Sequence, residues 1–310
     1  MFSVLGIDTS NYTTSAALWR AGAMFQNKIP LPVKKGELGL RQSDAVFHHV
    51  VQLPQVLSRL PIVGAELAAI GVSDRPRSAE GSYMPCFLTG LGTAQAIAQA
   101  GGTSLYRFSH QQGHIAAALY SANRLDLFRQ RFLAFHVSGG TTEAVLVTPE
   151  ENQVFRTEIA ARSLDLKGGQ AVDRVGAMLG LSFPAGKELE ALARQSNHME
   201  PVHAAMRGAD CSLSGIENRC RAMLDRGTPR EEVAAFCLSS LLAALEGMTE
   251  ALLERFGTLP LVFAGGVMSD GILREAIEEK YGAFFAQPEY SCDNAAGAAV
   301  LAAWKGGLLQ

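Results

Sequence analysis

Two stretches of the chain share one hydrophobic pattern: an apolar run, a short polar turn, and a second apolar run that returns. The first is Gly6-Ile-Asp-Thr-Ser-Asn-Tyr-Thr-Thr-Ser-Ala-Ala-Leu18. The second joins Phe132-Leu-Ala-Phe-His-Val137 through Ser138-Gly-Gly-Thr-Thr142 to Glu143-Ala-Val-Leu-Val147. Short apolar runs bounded by turn residues predict buried strands: Ser3–Ser10 with Thr14–Trp19, and Phe132–Val137 with Glu143–Val147. Residues 30–42, rich in Pro, Gly and Lys, read as a loop. Val46, Val50, Leu53, Val56 and Leu57 recur at helical spacing and predict a helix from about Ser43 to Leu60. A strand over Leu67–Val72, a breaker-rich loop over Ser73–Pro85 and a helix over about Phe87–Ala100 follow. Near the C-terminus a strand, Leu259–Phe263, enters the turn Ala264-Gly-Gly-Val267 ahead of a helix. An Ala-rich helix from about Asp293 to Trp304 closes the chain. Such alternation predicts an α/β fold with largely parallel core sheets.

Two polar hairpin turns, one in each half, imply a duplicated lobe, with 1–125 plus the closing segment 293–310 as the first and 126–292 as the second. At 310 residues the chain is long enough for two cores. A hairpin turn that opens a lobe can offer backbone N–H groups to phosphate. This is the plan of the actin, hexokinase and Hsp70 ATPases (the ASKHA fold), two duplicated α/β lobes around a nucleotide cleft. The alternative for Ser138–Thr142 is an ordinary β-hairpin turn, and the related turn at Asp8-Thr9-Ser10 and the Gly265-Gly266 loop favour the ligand reading.

Composition changes the picture mainly by exclusion. Hydrophobic residues make up 48% and charged residues 18%, an ordinary globular balance, and a net charge of −3 gives no overall basic field for nucleic acid. Cys86, Cys211, Cys220, Cys237 and Cys292 are odd in number and lack any CxxC pair, which predicts reduced thiols rather than disulfides or a zinc knuckle. The N-terminus lacks a charged and apolar leader pattern and no apolar run approaches about 20 residues, so the expectation is a cytoplasmic protein with no membrane partner.

His110-Gln-Gln-Gly-His114 is the sharpest chemical signal. On a helix an i,i+4 pair puts both imidazoles on one face, roughly 6 Å apart, which suits one metal ion. The alternative is a pair of capping or solvent-facing histidines; His48, His49, His136, His198 and His203 lack the spacing. Gln111 stands where zinc peptidases carry the Glu that serves as general base, so a thermolysin-like peptidase is disfavoured. Asp293-Asn294 precedes the last helix and reads as an N-cap, a ligand, or both. Arg75, Arg77 and Lys167 are either gathered around an anion or solvated.

In these motifs the chain resembles the tRNA threonylcarbamoyl-transferase family (TsaD type, formerly classed as an O-sialoglycoprotein endopeptidase). Gly6-Ile-Asp-Thr-Ser10 is similar to its Gly-Ile-Glu-Thr-Ser, His110-Gln-Gln-Gly-His114 to its metal-binding His-Leu-Glu-Gly-His, and Val137-Ser-Gly-Gly140 to its ligand loop. Ser212-Leu-Ser-Gly215 is similar to its Ser-Phe-Ser-Gly, and Cys292-Asp-Asn294 to the turn that supplies the third metal ligand. The resemblance implies a metal, iron or zinc, on His110, His114 and Asp293, with Asp8 a catalytic candidate. It implies an adenine nucleotide or acyl-adenylate on Ser10, Val137, Ser138, Gly139, Gly140, Thr141, Asp173, Gly186, Gly265, Gly266 and Asp270. The implied reaction moves a threonylcarbamoyl group from an adenylate to the N6 of a tRNA adenosine; candidate partners are an adenine nucleotide, tRNA and a protein of the same fold family.

Several positions depart from that family's pattern. Its acidic pair after the first turn is Tyr12 and Thr13, its metal-motif Glu is Gln112, and its His after Ser-Gly-Gly is Thr141. Its Asp-Ala-Ala-Gly-Glu reads Leu166-Lys-Gly-Gly-Gln170, its Gly-Pro-Gly reads Arg75-Pro-Arg77, and its nucleoside-loop Asn is Asp270. Two main readings follow: a metal-dependent carbamoyl-type transferase, or a non-catalytic nucleotide- and metal-binding paralogue that partners one. An ATP-dependent kinase or peptidase is a third.

Overall fold

The computed structural model describes residues 2–10, 12–32, 40–196 and 202–309; the segment 33–39 of the expected loop and His198 lie outside these. The chain divides into two compact units. One comprises Met1–Gln130, Pro149–Thr157 and Glu289–Gln310, the other Arg131–Thr148 and Glu158–Pro288.

The first unit carries β1 (Phe2–Ser10), β2 (Thr13–Arg20), β3 (Ala23–Pro30), α1 (Gln42–Ser58), β4 (Glu66–Arg75), α2 (Phe87–Gly101), β5 (Ser104–Ser109) and α3 (His110–Ser121). Its sheet runs β3-β2-β1-β4-β5, with β1 antiparallel to β2 and parallel to β4. The second begins with β6 (Phe132–Val137), β7 (Thr142–Glu150) and β8 (Val154–Arg162), followed by α4 (Gly168–Met178), α5 (Gly186–Ala193), the small hairpin β9 (Ala205–Arg207) and β10 (Asp210–Ser212), α6 (Ser214–Asp225) and α7 (Arg230–Phe256). It ends with β11 (Leu261–Ala264), α8 (Gly271–Tyr281) and β12 (Phe284–Phe285), in the sheet order β12-β11-β6-β7-β8. The two sheets thus repeat one topology: an antiparallel meander extended by two parallel strands. The chain then returns to the first unit as α9 (Ala296–Lys305).

Alternation along β1 decides what each face of the first sheet does. Leu5 and Ile7 join Leu53, Val56 and Ala94 in a core under α1 and α2. Gly6 turns to the other face, where a Cβ would strike Ala295 and Ala299, and a Cβ on Gly71 of β4 would strike Ala298. Helix α9 therefore lies directly on the sheet backbone, and its Ala-rich sequence is what permits that approach. Gly297 meets Gly113 of α3 just as closely, the carbonyl of Gly113 standing where a Cβ would go. Asp8, two residues beyond Gly6, shares this face.

In the second unit the opposite alternation sends Leu133, Phe135 and Val137 into a core with α4, α6, α7 and α8. Phe135, Phe263 and Phe285 stack across three strands, with centroids 4.4 and 5.5 Å apart. Helix α7 has the length and hydropathy to cross a membrane by composition alone, and its Val233, Leu241, Leu245, Met248 and Leu252 are buried in this core, which accounts for its apolar character. All five cysteines are free thiols.

Candidate metal centre and ligand loops

Helix α3 starts with a capping box: the Ser109 hydroxyl accepts from the N–H of Gln112, and the N–H of Ser109 donates to Gln112 Oε1. This fixes His110 as the first helical residue, and the 3.6-residue turn brings His114 above it. Their Nε2 atoms lie 2.9 Å apart. Asp293 Oδ1 lies 3.5 Å from His110 Nε2 and 3.4 Å from His114 Nε2. The three ligand atoms fall within 4.8 Å of one another, and each residue is half-buried. Two imidazoles and one carboxylate at this spacing fit a single divalent cation with positions left for other ligands.

The loop before α9 aims Asp293. Asn294 ties the loop together just ahead of the helix: its side chain accepts from the N–H of Ala296 and donates to the carbonyls of Tyr290 and Cys292. The N-cap of α9 is Ala295, which has no side-chain cap, so Asp293 does not fill the capping role and its carboxylate faces the histidines. The Gly113–Gly297 crossing holds the two elements close enough to meet.

Asp8, from the end of β1, is buried behind His110. Its Oδ2 lies 2.8 Å from His110 Nδ1, and its Oδ1 accepts the N–H of Ser10 at 2.9 Å. A carboxylate on Nδ1 fixes the tautomer that turns the Nε2 lone pair outward, the usual outer partner of a metal-bound histidine. Burial pushes the Asp8 carboxyl up, but the charge of His110 and the bonds from His110 and Ser10 outweigh it and hold its pKa below the ordinary value. Burial pushes His110 down, and the charges of Asp8 and Asp293 with their hydrogen bonds overcome this, raising it to about 10. Asp293, despite burial, is held well below the carboxylate range by His110 and His114.

The ligand loops of the second unit form a separate cluster. In the Ser138–Thr141 turn the N–H of Ser138 donates to the Thr141 carbonyl at 2.7 Å, and the N–H of Thr141 to Ser138 Oγ at 3.1 Å. The N-terminus of α4 backs onto it: Gly169 N–H donates to the Ser138 carbonyl, and a Cβ on Gly169 would stand 2.6 Å from Gly139 N. Gly139, Gly140 and Gly266 face open space. Gly265 does not; at φ 102° it presses on the Val137 carbonyl, so it joins the two turns structurally while Gly266 stays accessible. Asp270 caps α8 through the N–H groups of Ile272 and Leu273. Asp173 accepts the N–H of Ala185 at 2.9 Å, which sets it beside Gly186.

The sequence-predicted residues therefore fall into three groups: Asp8, His110, His114 and Asp293; Val137 to Thr141 with Gly265, Gly266 and Asp270; and Asp173 with Gly186. Ser10 joins the first group through its backbone N–H, which donates to Asp8 Oδ1. Of the added cations, Arg75 pairs with Asp74 at 2.6 Å, and Lys167 Nζ donates to the Ser163 carbonyl. Asp165 lies in no sequence motif, yet its carboxylate gathers Leu166, Leu213 and Ser214; only its place between two loops distant in sequence reveals it.

The two-unit architecture is that of the actin and sugar-kinase class. Full-length HypF in its phosphate- and nucleotide-bound form superposes over 99% of this chain and 46% of its own, with a TM-score of 0.61 at 12% identity. Component A of Acidaminococcus fermentans (R)-2-hydroxyglutaryl-CoA dehydratase superposes over 99% and 100%, with a TM-score of 0.54 at 15% identity. The chain spans about half of the HypF chain, and at these identities the likeness concerns the fold alone. Within the class, residues 42–300 match the family model "TsaD: tRNA N6-adenosine threonylcarbamoyltransferase". The tRNA N6-adenosine threonylcarbamoyltransferase of Thermus thermophilus is 30% identical over 97% of this chain and 92% of its own length; that of Streptococcus thermophilus is 29% identical over 89% and 83%. The chain belongs to the TsaD family.

Proposed function

We propose that this chain is a metal-dependent carbamoyl-type transferase, moving threonylcarbamoyl from its adenylate to a tRNA adenosine. The observation that carries the reading is the convergence of His110 Nε2, His114 Nε2 and Asp293 Oδ1, with Asp8 fixing His110 from behind. These three side chains would hold iron or zinc, whose chemistry when bound is Lewis acidity toward ligand oxygens. Asp8 is then a positioning residue, buried away from any substrate. The glycines 139 and 140, with no atom near the place of a Cβ, leave room for a phosphate to approach the turn backbone, Gly266 lets a nucleoside approach without a Cβ in the way, and Asp173 beside Gly186 offers an acceptor for a hydroxyl donor. A protein of the same fold family as partner belongs to the same proposal.

The second reading, a non-catalytic paralogue, has an observation of its own: Gln112, Tyr12, Thr13 and Gln170 stand where the family carries carboxylates, so groups suited to proton transfer are gone. One experiment separates the two. Incubated with threonylcarbamoyl-adenylate and unmodified tRNA, the protein is expected to form N6-threonylcarbamoyladenosine, read by mass spectrometry of digested tRNA. Adenylate binding without product establishes the paralogue reading; neither binding nor product sinks both.

The metal reading also predicts a pH dependence. Without metal, His110 between Asp8 and Asp293 holds its extra proton up to about pH 10. Metal must displace that proton, so apparent affinity rises with pH, by about tenfold per unit across the neutral range. Zinc competition titrations at pH 6.5, 7.5 and 8.5 check this, and equal affinities would contradict it.

A further inference from the structure

We infer that Gln112 is a positioning residue for the metal centre, tying the histidine-bearing turn of α3 to the tip of the β7–β8 hairpin through an amide that a carboxylate cannot replace. Its side chain is fully buried. Oε1 accepts from the N–H of Ser109 at 2.9 Å and from the Ser78 hydroxyl at 3.0 Å. Nε2 donates to two carbonyls, Gln153 at 3.2 Å and Phe155 at 2.9 Å. The partners fix the amide's orientation, because a flip would set its oxygen against two carbonyl oxygens. Every polar atom is thereby used: one end completes the cap that places His110, and the other holds residues 153–155.

The rest of the hairpin tip agrees. Thr157 Oγ1 donates to Gln111 Oε1 at 3.0 Å, and Lys305 Nζ at the end of α9 donates to the carbonyls of Glu151 and Asn152. Phe155 stacks on Phe128 with centroids 5.6 Å apart. The tip is thus pinned at both helices that build the metal site, and Gln112 is its central link because it sits between His110 and His114. The family's Glu at this position can cap α3, but an ionised carboxylate has no proton for Gln153 or Phe155. The change to Gln is accordingly a feature of this chain, in which α3 gains two donor bonds to the hairpin.

The inference rests on the metal reading, and its test separates the two. The full chain is titrated with Co(II), following the visible absorption band, beside Gln112→Met, which keeps the length and loses every bond, and Ser78→Ala, which removes one donor to Oε1. Thermal melts define a temperature at which each variant is folded. Gln112→Met is expected to bind Co(II) about tenfold more weakly with an altered band, the size seen for outer partners of metal ligands, and Ser78→Ala to shift the same way by less. Folded variants with the unmutated affinity and band would overturn the positioning role, even if their melting points fall. Should Gln112→Met fail to fold, Ser78→Ala decides alone by the same criterion. If the unmutated chain takes up no Co(II), it is the metal reading that fails.

Discussion

Gly297→Val is expected to lower stability by about 3 kcal/mol or more and to abolish metal binding together. Valine at 297 must place a branched Cβ where the Gly113 carbonyl now stands, and neither atom belongs to a flexible side chain that can move aside. The helices must separate, and α9 is also held against the sheet at Gly6 and Gly71, so no nearby surface can absorb the shift. Separation draws Asp293, four residues before Gly297, from His110 and His114 on either side of Gly113. Calorimetry should show melting lower by roughly 10 °C, and Co(II) uptake should be lost at temperatures where the variant is still folded. A variant with unmutated melting and uptake would mean that the helices do not cross this closely.

The second large effect concerns the ligands themselves. His114→Ala and Asp293→Ala each remove one of the three proposed ligands, and affinity should fall by more than about 100-fold, since outer partners alone cost ten- to a hundredfold. The loss should be selective. Ala at 114 leaves the capping box of Ser109 and Gln112 in place, and the fold of α3 with it. Asp293→Ala should cost some stability in the metal-free chain, since it removes a carboxylate that His110 and His114 hold well below the ordinary range, so its metal uptake is read at a temperature where the variant is folded. Metal titration alongside circular dichroism tests both variants, and tight binding by either one would remove it from the ligand set.

What could be read from sequence followed physical periodicity. The two β-turn-β units were visible because each strand is buried on both faces and so reads as a continuous apolar run; β1 and β6 begin and end within a residue of expectation. The pair His110 and His114 was visible because the helical repeat alone makes them neighbours. Strand β3 was not foreseen, because an edge strand that mixes half-buried residues such as Met24 and Gln26 with exposed ones such as Phe25 and Lys28 has no sharp apolar signal. The small residues of α9 suggested close packing, but nothing local says that Gly297 meets Gly113. Asp8 and His110, 102 residues apart, gave no sign that one orients the other. Gln112 looked like a loss relative to the family, since its gain lies in two carbonyls of a distant hairpin. Long-range pairing of polar groups is set by tertiary contact, and sequence spacing carries no trace of it.

The proposed function requires that His110, His114 and Asp293 hold a metal. Elemental analysis of the purified chain beside His110→Ala and His114→Ala measures it directly. Iron or zinc at about one equivalent per chain, falling to near zero in both variants, is the predicted result. Metal content unchanged by either substitution would contradict it.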